Sequence, residues 1–226
     1  MWDGQAGPCT KHFKLVRFDR RGHGQSGLPK GPCSMEMLGR DVLAIMDALG
    51  IKKANWCGLS MGGMEGMWLG ANAPERIERM VLSNTSSYFA DKKGWNDRLA
   101  LVREKGVPAF AAPNMERWFT KGFREREPQT IAWITEMFLT TPLEGYIGCG
   151  EAVRDMDHRA LLPSIKVPTL VIAGRHDPAT TLQAGEYLRD HIPGVAFTVL
   201  EAAHISNVEQ PTAFSDAVLE FLLQRH

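Results

Sequence analysis

Apolar residues follow two patterns along this chain: short continuous runs, and longer stretches in which they recur every three or four positions. Continuous runs bounded by glycine, proline or charged residues are typical of buried β-strands. On this basis we predict strands over residues 14–19, 53–57, 79–83, 169–173 and 196–200. The strongly apolar run at 169–173 is typical of a sheet that is buried on both faces.

Helical spacing of the apolar residues predicts helices between these strands. One helix begins after Ser34, whose side chain can cap it. A second follows the 53–57 strand and ends before Pro74, because the residue before a proline disfavours helical geometry. Further helices are predicted near 181–190 and from Pro211 onward. This alternation predicts an α/β fold with a mostly parallel sheet and helices on both faces.

The segment 86–162 lacks the strand pattern, and its helical stretches are interrupted by glycine and proline and are rich in aromatic residues. We interpret it as a helical lid inserted into a core formed by residues 1–85 and 163–226. Such a lid would cover a pocket at the ends of the strands. The alternative is a helical subdomain whose aromatic side chains form its own core.

A basic run within this segment also allows two interpretations. Its members are Arg117, Lys121, Arg124 and Arg126. Because glutamates alternate with these side chains, we favour a solvated face, and contact with an anionic substrate is the alternative.

Composition changes this picture little, but it excludes several functions. The 226 residues include 26 basic and 26 acidic side chains, so no basic surface for nucleic acid is expected. No apolar run is long enough to cross a bilayer and the first residues show no leader pattern, so we expect a cytoplasmic protein without a membrane partner. The four cysteines and seven histidines show no metal-ligand spacing. We therefore expect free thiols and no metal site.

Residues 22–27 match the G-x-G-x-x-G fingerprint of dinucleotide-binding loops. That fingerprint functions only where it opens a helix whose N-terminus can hold a pyrophosphate. Here Pro29, Gly31 and Pro32 follow instead. We therefore predict a loop over residues 20–32 and no nucleotide site.

The sequence Gly58-Leu59-Ser60-Met61-Gly62 matches the G-x-S-x-G nucleophile elbow. A predicted strand precedes it and a predicted helix follows it, and in this context a sharp turn exposes the serine hydroxyl. We predict Ser60 as a nucleophile, with Gly58 relieving a clash and Gly62 allowing the helix to pack closely. The backbone N–H of Met61 is the predicted oxyanion donor, and the sequence indicates no second donor. The alternative is a glycine-rich turn with an incidental serine.

A serine nucleophile needs a base for its proton, and the base needs an acceptor for its second nitrogen. Asp177 and His204 each follow a predicted strand that runs parallel to the strand before Ser60. Because parallel strands end at the same edge of a sheet, we expect these side chains to converge, in the chain order Ser, Asp, His. Asn84 follows another strand at a place where such folds carry an acid, but it cannot hold the charge. The alternative is that Asp177 and His204 are ordinary loop residues.

At this point the chain resembles the α/β-hydrolase family, and within it the 3-oxoadipate enol-lactonases. The resemblance covers nearly the whole chain. It rests on residues 1–3, 18–19, 21–26, 58–63, 68–76, 145–149, 173–177 and 203–211. The elbow alone indicates only a hydrolase, whereas the run after it and the segments beginning at 145 and 203 are similar to the lactonases.

The resemblance implies hydrolysis of the enol-lactone of 3-oxoadipate in the bacterial β-ketoadipate pathway of aromatic catabolism, with no metal or organic cofactor. By matching position it makes Ser60 the nucleophile, Asp177 the acid and His204 the base. The implied partner is a small-molecule substrate, an anionic lactone or ester. Trp133 and the arginines of the lid are candidate contacts for its carboxylate.

The front of the chain departs from the family pattern, which has further strands and an oxyanion loop ahead of the segment that begins here. We therefore expect N-terminal strands to be missing, which leaves a gap beside the 53–57 strand and one oxyanion donor fewer. Such a loss typically costs about two to three orders of magnitude in rate. The alternatives to a lactonase are a shortened, catalytically impaired chain, inactive or assembled with a partner, and a carboxylesterase or acyl-transfer enzyme of the same fold.

Overall fold

A computed structural model describes residues 1–27 and 33–224, which form a parallel sheet flanked by helices. The strands are β1 (Ala54–Leu59), β2 (Ile77–Ser83), β3 (Thr169–Gly174) and β4 (Ala196–Leu200). The α-helices are α1 (Asp3–Thr10), α2 (Met35–Ala48), α3 (Met61–Asn72), α4 (Lys92–Lys105), α5 (Ala111–Trp118), α6 (Lys121–Arg126), α7 (Pro128–Leu139), α8 (Leu143–Asp155), α9 (Leu182–His191), α10 (Ser206–Glu209) and α11 (Pro211–Leu222). Short 3₁₀ helices span Pro74–Arg76, Val107–Phe110 and Leu162–Ser164. None of the helices in the described ranges is both long and apolar enough to span a bilayer.

The strands pair in parallel in the order β1-β2-β3-β4. At the carboxyl ends, Leu59 of β1 lies opposite Ser83 of β2, and Gly174 of β3 lies opposite Leu200 of β4. β3 is buried along its whole length, as its apolar sequence predicts. The residues that follow the strands are therefore gathered at one edge of the sheet.

Apolar clusters cover both faces of this sheet. On one face, Leu38 of α2 and Met67 of α3 belong to the cluster that contains Leu82 of β2. On the other face, Phe214 of α11 packs in the cluster that contains Ile172 of β3. The amphipathic pattern of these helices predicts this arrangement, because each helix buries one apolar stripe against the sheet.

Most predicted elements are confirmed, with bounds that differ by a few residues. The side chain of Ser34 accepts a hydrogen bond from the N–H of Met37 at 3.1 Å and caps α2, as predicted. The last four predicted strands correspond to β1 through β4, and the helices predicted around them correspond to α2, α3, α9 and α11.

The strand predicted over residues 14–19 is wrong. These residues adopt no regular secondary structure, and Leu15, Val16 and Phe18 are 38%, 39% and 38% exposed. The ring of Phe18 lies 6.4 Å from the ring of Trp56 in β1, so a side chain rather than a backbone ladder connects this segment to the sheet. An apolar run becomes a strand only where another strand satisfies its N–H and C=O groups, and the local pattern cannot show that partner.

Helix α1 is an element that the pattern does not predict, because it contains Pro8 and has little amphipathic character. Tertiary contacts hold it in place. The buried side chain of Gln5 donates to the C=O of Asn207 at 2.9 Å and accepts from its Nδ2 at 3.2 Å. The ring of Trp2, just before the helix, lies 6.0 Å from the ring of Phe214. Contacts across the whole chain length therefore outweigh a weak local propensity.

Residues 20–27 form turns, and within them the backbone N–H of Gln25 donates to the carboxylate of Asp19 at 3.2 Å. The rest of the predicted loop, including Pro29, Gly31 and Pro32, lies outside the described residues. The G-x-G-x-x-G match therefore sits in a turn, and no helix begins within residues 22–27.

Helices α4 to α8 follow one another between β2 and β3. Several of their aromatic side chains contact each other: the rings of Phe119 and Phe123 stack at 5.3 Å, and those of Trp118 and Phe138 meet edge to face at 5.5 Å. The same cluster includes Ile205, from the loop after β4. These helices thus bury an aromatic cluster of their own and also touch the edge of the sheet.

Candidate active site

Ser60 lies in the turn between β1 and α3, at the edge where the strands end. Its φ of 55° is in the left-handed region, which residues other than glycine rarely adopt. Its N–H donates to the C=O of Ser83 at 2.9 Å, which fixes the turn against β2. A Cβ on Gly58 would clash with the backbone C=O of Gly62, so the predicted role of Gly58 is confirmed.

The predicted role of Gly62 is wrong, because the close approach lies one residue later. A Cβ on Gly62 would have no neighbour nearer than the Arg20 guanidinium at 3.9 Å. A Cβ on Gly63 would lie 2.6 Å from the Cβ of Thr85, the second residue after β2. It is therefore Gly63 that allows the start of α3 to approach the segment after β2.

The structure brings together the three side chains that the sequence singles out. The Nε2 atom of His204 lies 2.9 Å from the Oγ atom of Ser60. The Nδ1 atom of His204 lies 2.8 Å from the Oδ2 atom of Asp177. Ser60 follows β1, Asp177 follows β3 and His204 follows β4, so the shared edge of the parallel strands produces this continuous chain of hydrogen bonds.

The carboxylate of Asp177 is 4% exposed and heavily hydrogen-bonded. Its Oδ1 accepts from the N–H groups of Ala179 at 2.7 Å and Thr180 at 3.0 Å. Its Oδ2 accepts from the Thr180 hydroxyl at 2.7 Å, from Nδ2 of Asn84 at 3.0 Å and from His204. Burial opposes ionisation, but the charge of His204 and these hydrogen bonds outweigh it and lower the pKa of Asp177 to about 2. The carboxylate is therefore ionised at neutral pH.

The backbone N–H of Met61 is placed to act as a donor next to Ser60. Met61 is the first residue of α3, so its N–H has no acceptor within the helix. The first bonds of this turn run instead from the N–H groups of Gly63 and Met64 to the C=O of Ser60. Because Met61 also lines the cavity around Ser60, its N–H can donate to a group bound there.

A cavity of about 880 Å³ opens onto Ser60 and His204. One wall comes from the ends of the strands and the turn at residues 20–27, and the other comes from helices α4, α5, α7 and α8. Its apolar lining includes Trp95, Phe110, Trp118, Ile134, Phe138 and Tyr146. A concave, mostly apolar space beside a hydrogen-bonded serine is typical of a small-molecule site.

The structure does not place Trp133 in this cavity, which corrects its prediction as a substrate contact. Trp133 is 41% exposed, whereas its neighbour in α7, Ile134, lines the cavity together with Met137. Trp133 lies one helical turn before Met137, but its side chain is directed mostly to solvent and is not part of the cavity lining. The aromatic residues that reach the site from this part of the chain include Trp95 and Trp118.

Two arginines and one asparagine line the cavity together, and we call them the cationic cluster: Arg98, Asn114 and Arg117. Arg98 donates to the hydroxyl of Tyr146 at 2.6 Å and to Oδ1 of Asn114 at 3.0 Å, and its guanidinium lies 4.7 Å from the ring centre of Phe110. The groups that contact the Arg98 guanidinium here are therefore all neutral. The Nδ2 atom of Asn114 is buried and has no hydrogen-bond partner among the described residues.

Arg117 is the other charged member of this cluster. Burial and then the nearby charge of Arg98 lower its pKa, and no ion pair within the described residues neutralises it. Of the other members of the predicted basic run, Lys121 pairs with Glu125, Arg124 pairs with Glu116, and the guanidinium of Arg126 lies 5.7 Å from the ring centre of Phe123. The solvated face favoured from sequence fits the exposed Lys121 and Arg126, whereas Arg124 is partly buried and Arg117 lines the cavity.

Sequence reasoning missed Arg98 and Asn114. Neither belongs to a recognisable motif, and both reach the cavity only through the packing of α4 against α5 and α8. The one available signal was an arginine on a helix otherwise rich in charge, which is too common to be informative.

No cluster of three or more His, Cys, Asp or Glu side chains suited to a metal ion occurs in residues 1–27 and 33–224. The four cysteines are free thiols. Burial raises the pKa of the Cys57 thiol to about 12, so this side chain of β1 stays protonated and acts in packing.

Comparison with known proteins places the chain in a family. A model described as alpha/beta hydrolase fold matches residues 1–211. The chain is 42% identical over 218 residues to 3-oxoadipate enol-lactonase 2 of Acinetobacter baylyi, across 96% of this chain and 82% of that protein. The crystal structure of the enol-lactonase from Burkholderia xenovorans LB400 has a TM-score of 0.97 and 44% identity, over 99% of this chain and 86% of that one. A hydrolase from Pseudomonas aeruginosa has a TM-score of 0.95 and 42% identity, over 99% and 84%. The chain therefore belongs to the alpha/beta hydrolase fold family.

Proposed function

We propose that this protein is a serine hydrolase that opens a small anionic lactone, the enol-lactone of 3-oxoadipate, to give 3-oxoadipate. The observation that carries the proposal is the chain of hydrogen bonds from Ser60 through His204 to Asp177, beside a cavity that is also lined by two arginines. The names of the similar proteins, both enol-lactonases, support the choice of substrate. The reaction would serve the catabolism of aromatic compounds.

The first half of the reaction transfers the acyl group to the protein. His204 accepts the proton of the Ser60 hydroxyl as Oγ attacks the lactone carbonyl, and Asp177 stabilises the imidazolium that forms. The N–H of Met61 donates to the developing oxyanion. The ring C–O bond then breaks, and the released enol oxygen takes the proton from His204. Because the enol remains part of the acyl chain, it stays attached and becomes the ketone.

The second half of the reaction releases the product. His204, again neutral, accepts a proton from a water molecule that attacks the acyl ester on Ser60. Collapse of this intermediate breaks the bond to Oγ and returns the proton to Ser60. The sum is one lactone and one water converted to one open-chain acid.

The cationic cluster gives the site its preference for an anion. Arg98 and Arg117 line the cavity with no carboxylate partner among the described residues, and Asn114 adds a buried donor without an acceptor. A carboxylate on the substrate would accept charge-assisted hydrogen bonds from Arg98 and Arg117 and relieve the repulsion between the two guanidinium ions. We assign the substrate carboxylate to this cluster rather than to Trp133.

The division of the chain into a core and a lid is part of the same proposal. Residues 1–85 and 163–226 form the core that carries Ser60 and His204, and residues 86–162 form the lid. The cavity between them supports this division, because its walls come from both parts. The lid would then supply recognition of the substrate, while the core supplies the chemistry.

Activity and labelling of one variant test the proposal. We expect the purified protein to hydrolyse the enol-lactone, and Ser60→Ala to lose about four orders of magnitude or more in kcat. A fluorophosphonate should label the wild type at Ser60, as read by mass spectrometry of peptides. Ser26→Ala is the matched control, since the Ser26 hydroxyl donates to the C=O of Asp19 and has no other side-chain hydrogen bond among the described residues. A folded wild type that neither labels nor turns over the lactone would refute the assignment.

The cavity volume favours one second candidate, a carboxylesterase for larger anionic esters. A space of about 880 Å³ exceeds what a single small lactone fills. Comparison of kcat/KM for the enol-lactone with that for open-chain esters bearing one carboxylate separates the two. A preference of at least about tenfold for the lactone supports the first proposal, and the reverse order supports the esterase.

A further inference from the structure

The segment just after β2 contacts both ends of the hydrogen-bonded chain. Asn84 is 1% exposed and has a φ of 43°, in the left-handed region that it shares, among the described non-glycine residues, with Ser60. Asparagine tolerates this backbone conformation better than most residues. The N–H of Asn84 donates to the C=O of Ile172 at 2.8 Å, which fixes the turn against the end of β3.

The side-chain amide of Asn84 uses its full hydrogen-bonding capacity. Its Nδ2 donates to Oδ2 of Asp177 and to the C=O of Ala203, each at 3.0 Å. Its Oδ1 accepts from the hydroxyls of Ser83 at 2.8 Å and Ser206 at 2.5 Å. A carboxylate and a carbonyl can only accept, so the NH₂ group must face Asp177 and Ala203. The amide therefore has one defined orientation, and it connects the ends of β2, β3 and β4.

The residues on either side of Asn84 hold the backbone of Ser60. The C=O of Ser83 accepts from the N–H of Ser60 at 2.9 Å. The hydroxyl of Thr85 donates to the C=O of Ser60 at 2.7 Å. One tripeptide thus fixes the backbone of Ser60 on one side and the carboxylate of Asp177 on the other.

We propose that Asn84 is a positioning residue, whose neutral amide holds Oδ2 of Asp177 in line with Nδ1 of His204 while keeping a single negative charge beside the imidazole. This inference rests on the proposed function, because it assigns Asn84 a role in the same reaction. Asn84 acts through Asp177 and does not contact the substrate. Asparagine rather than aspartate is therefore required at this strand end.

The charge argument depends on what surrounds the amide. Asp177 and His204 are the titratable groups nearest to it, and Ser83, Thr180 and Ser206 supply neutral hydroxyls. Glu209 accepts from the N–H of Ala203 at 2.9 Å, on the far side of that peptide. Arg117 lies farther away, where its charge still acts on Asp177. A carboxylate in place of the amide would thus lie beside Asp177 with no cation of its own.

The substitution Asn84→Asp keeps the shape and changes the charge. The new carboxylate and that of Asp177 would lie about 3 Å apart and could not both ionise freely. This pair would therefore keep a proton up to a higher pH than Asp177 does in the wild type. We expect kcat to fall about 100-fold with KM within about threefold of the wild type. The acid limb of kcat/KM should move upward by about one pH unit. A purely structural role would lower the melting temperature and leave kcat and the pH profile of the folded enzyme unchanged, and that result would overturn the proposal.

Asn72→Asp is the matched control, because Asn72 lies at the exposed end of α3 and its side chain bonds, within the described part of the chain, only the C=O of Trp68. We expect it to keep the wild-type profile. If Asn84→Asp does not fold, Ser206→Ala removes one bond to Oδ1 of Asn84 without changing any charge. We expect this variant to lower kcat about threefold to tenfold, and wild-type kcat would overturn the proposal.

The rate of phosphonylation of Ser60 against pH separates this inference from the choice of substrate. If the wild type labels but does not open the enol-lactone, the substrate assignment fails, and the slower labelling and shifted pH profile of Asn84→Asp still decide the role of Asn84. If the wild type does not label at all, both proposals are overturned. Equal labelling rates and equal pH profiles in the wild type and in Asn84→Asp overturn the positioning role alone.

Discussion

Asp177 shows how far the surroundings of one residue can determine its chemistry. Its place after β3 could be predicted from the sequence, because parallel strands end at one edge and the order Ser, Asp, His is readable along the chain. The groups that hold its charge could not be predicted. Thr180 is close in sequence, but Asn84 is 93 residues away and reaches Asp177 only when β2 and β3 pair. The position of this candidate catalytic residue is thus more predictable than its electrostatic environment.

The lowered pKa of Asp177 predicts an acid-dependent loss of stability. Its value of about 2 in the folded protein lies below the usual 3.8, so folding favours the ionised form. That stabilisation is complete above about pH 4 and is lost as the pH falls through about 2. Between about pH 5 and pH 2, we expect the free energy of unfolding of the wild type to fall by about 2 kcal/mol more than that of Asp177→Asn.

Urea unfolding followed by tryptophan fluorescence at several pH values measures this difference. The comparison cancels the exposed carboxylates that both proteins share, among them Asp157, whose pKa is lowered to about 2 by hydrogen bonds from Arg159. Parallel pH dependence in the two proteins would contradict the prediction.

At the level of elements, the sequence predicts best where burial alone decides the structure. β3 is apolar throughout and is buried on both faces, so its pattern has one interpretation. Residues 14–19 have a similar apolar pattern but lack a backbone partner among the described residues, so they do not form a strand. Helix α1 forms without a strong sequence signal, because Gln5 and Trp2 pack against residues near the C-terminal end of the chain. Pairing and docking are tertiary events, and local patterns do not encode them.

The helices between β2 and β3 give a prediction about specificity. α5 carries Arg117 into the cavity, so Arg117→Gln removes a charge from the proposed anion site without touching Ser60. A hydrogen bond to a charged group contributes about 1.5–3 kcal/mol, so we expect KM for the enol-lactone to rise about tenfold to 100-fold with little change in kcat. Steady-state kinetics with the lactone and with a neutral ester, 4-nitrophenyl acetate, measure the effect.

Lys121→Gln is the control for this substitution, since Lys121 is an exposed surface cation in α6 paired with Glu125. It should leave both substrates unaffected. An equal loss on the neutral and the anionic substrate for Arg117→Gln would point to damage of the fold, and an unchanged KM would remove Arg117 from the anion site.

Across the whole molecule, the cavity is shaped by contact between its two walls. A Cβ on Gly145 in α8 would clash with the C=O of Gly22, so this helix lies directly on the turn at 20–27. Arg20, in that turn, pairs with the buried Glu65 of α3 at 2.5 Å. The α8 wall therefore rests on the turn through backbone contact, and the ion pair fixes that turn to α3. The cavity beside Ser60 depends on segments that lie far apart in the chain.

The apolar segment at residues 14–19, which has no strand partner among the described residues, affects how the molecule behaves in concentrated solution. Leu15, Val16 and Phe18 are partly exposed apolar residues in an extended run. Such a run can form β-pairs with the same segment of another molecule. We expect sedimentation velocity to show reversible clustering that grows with protein concentration and weakens in Val16→Lys. Leu49→Lys, at a more exposed apolar position just after α2, should leave the clustering unchanged. Identical sedimentation of all three proteins would show that residues 14–19 do not drive self-association.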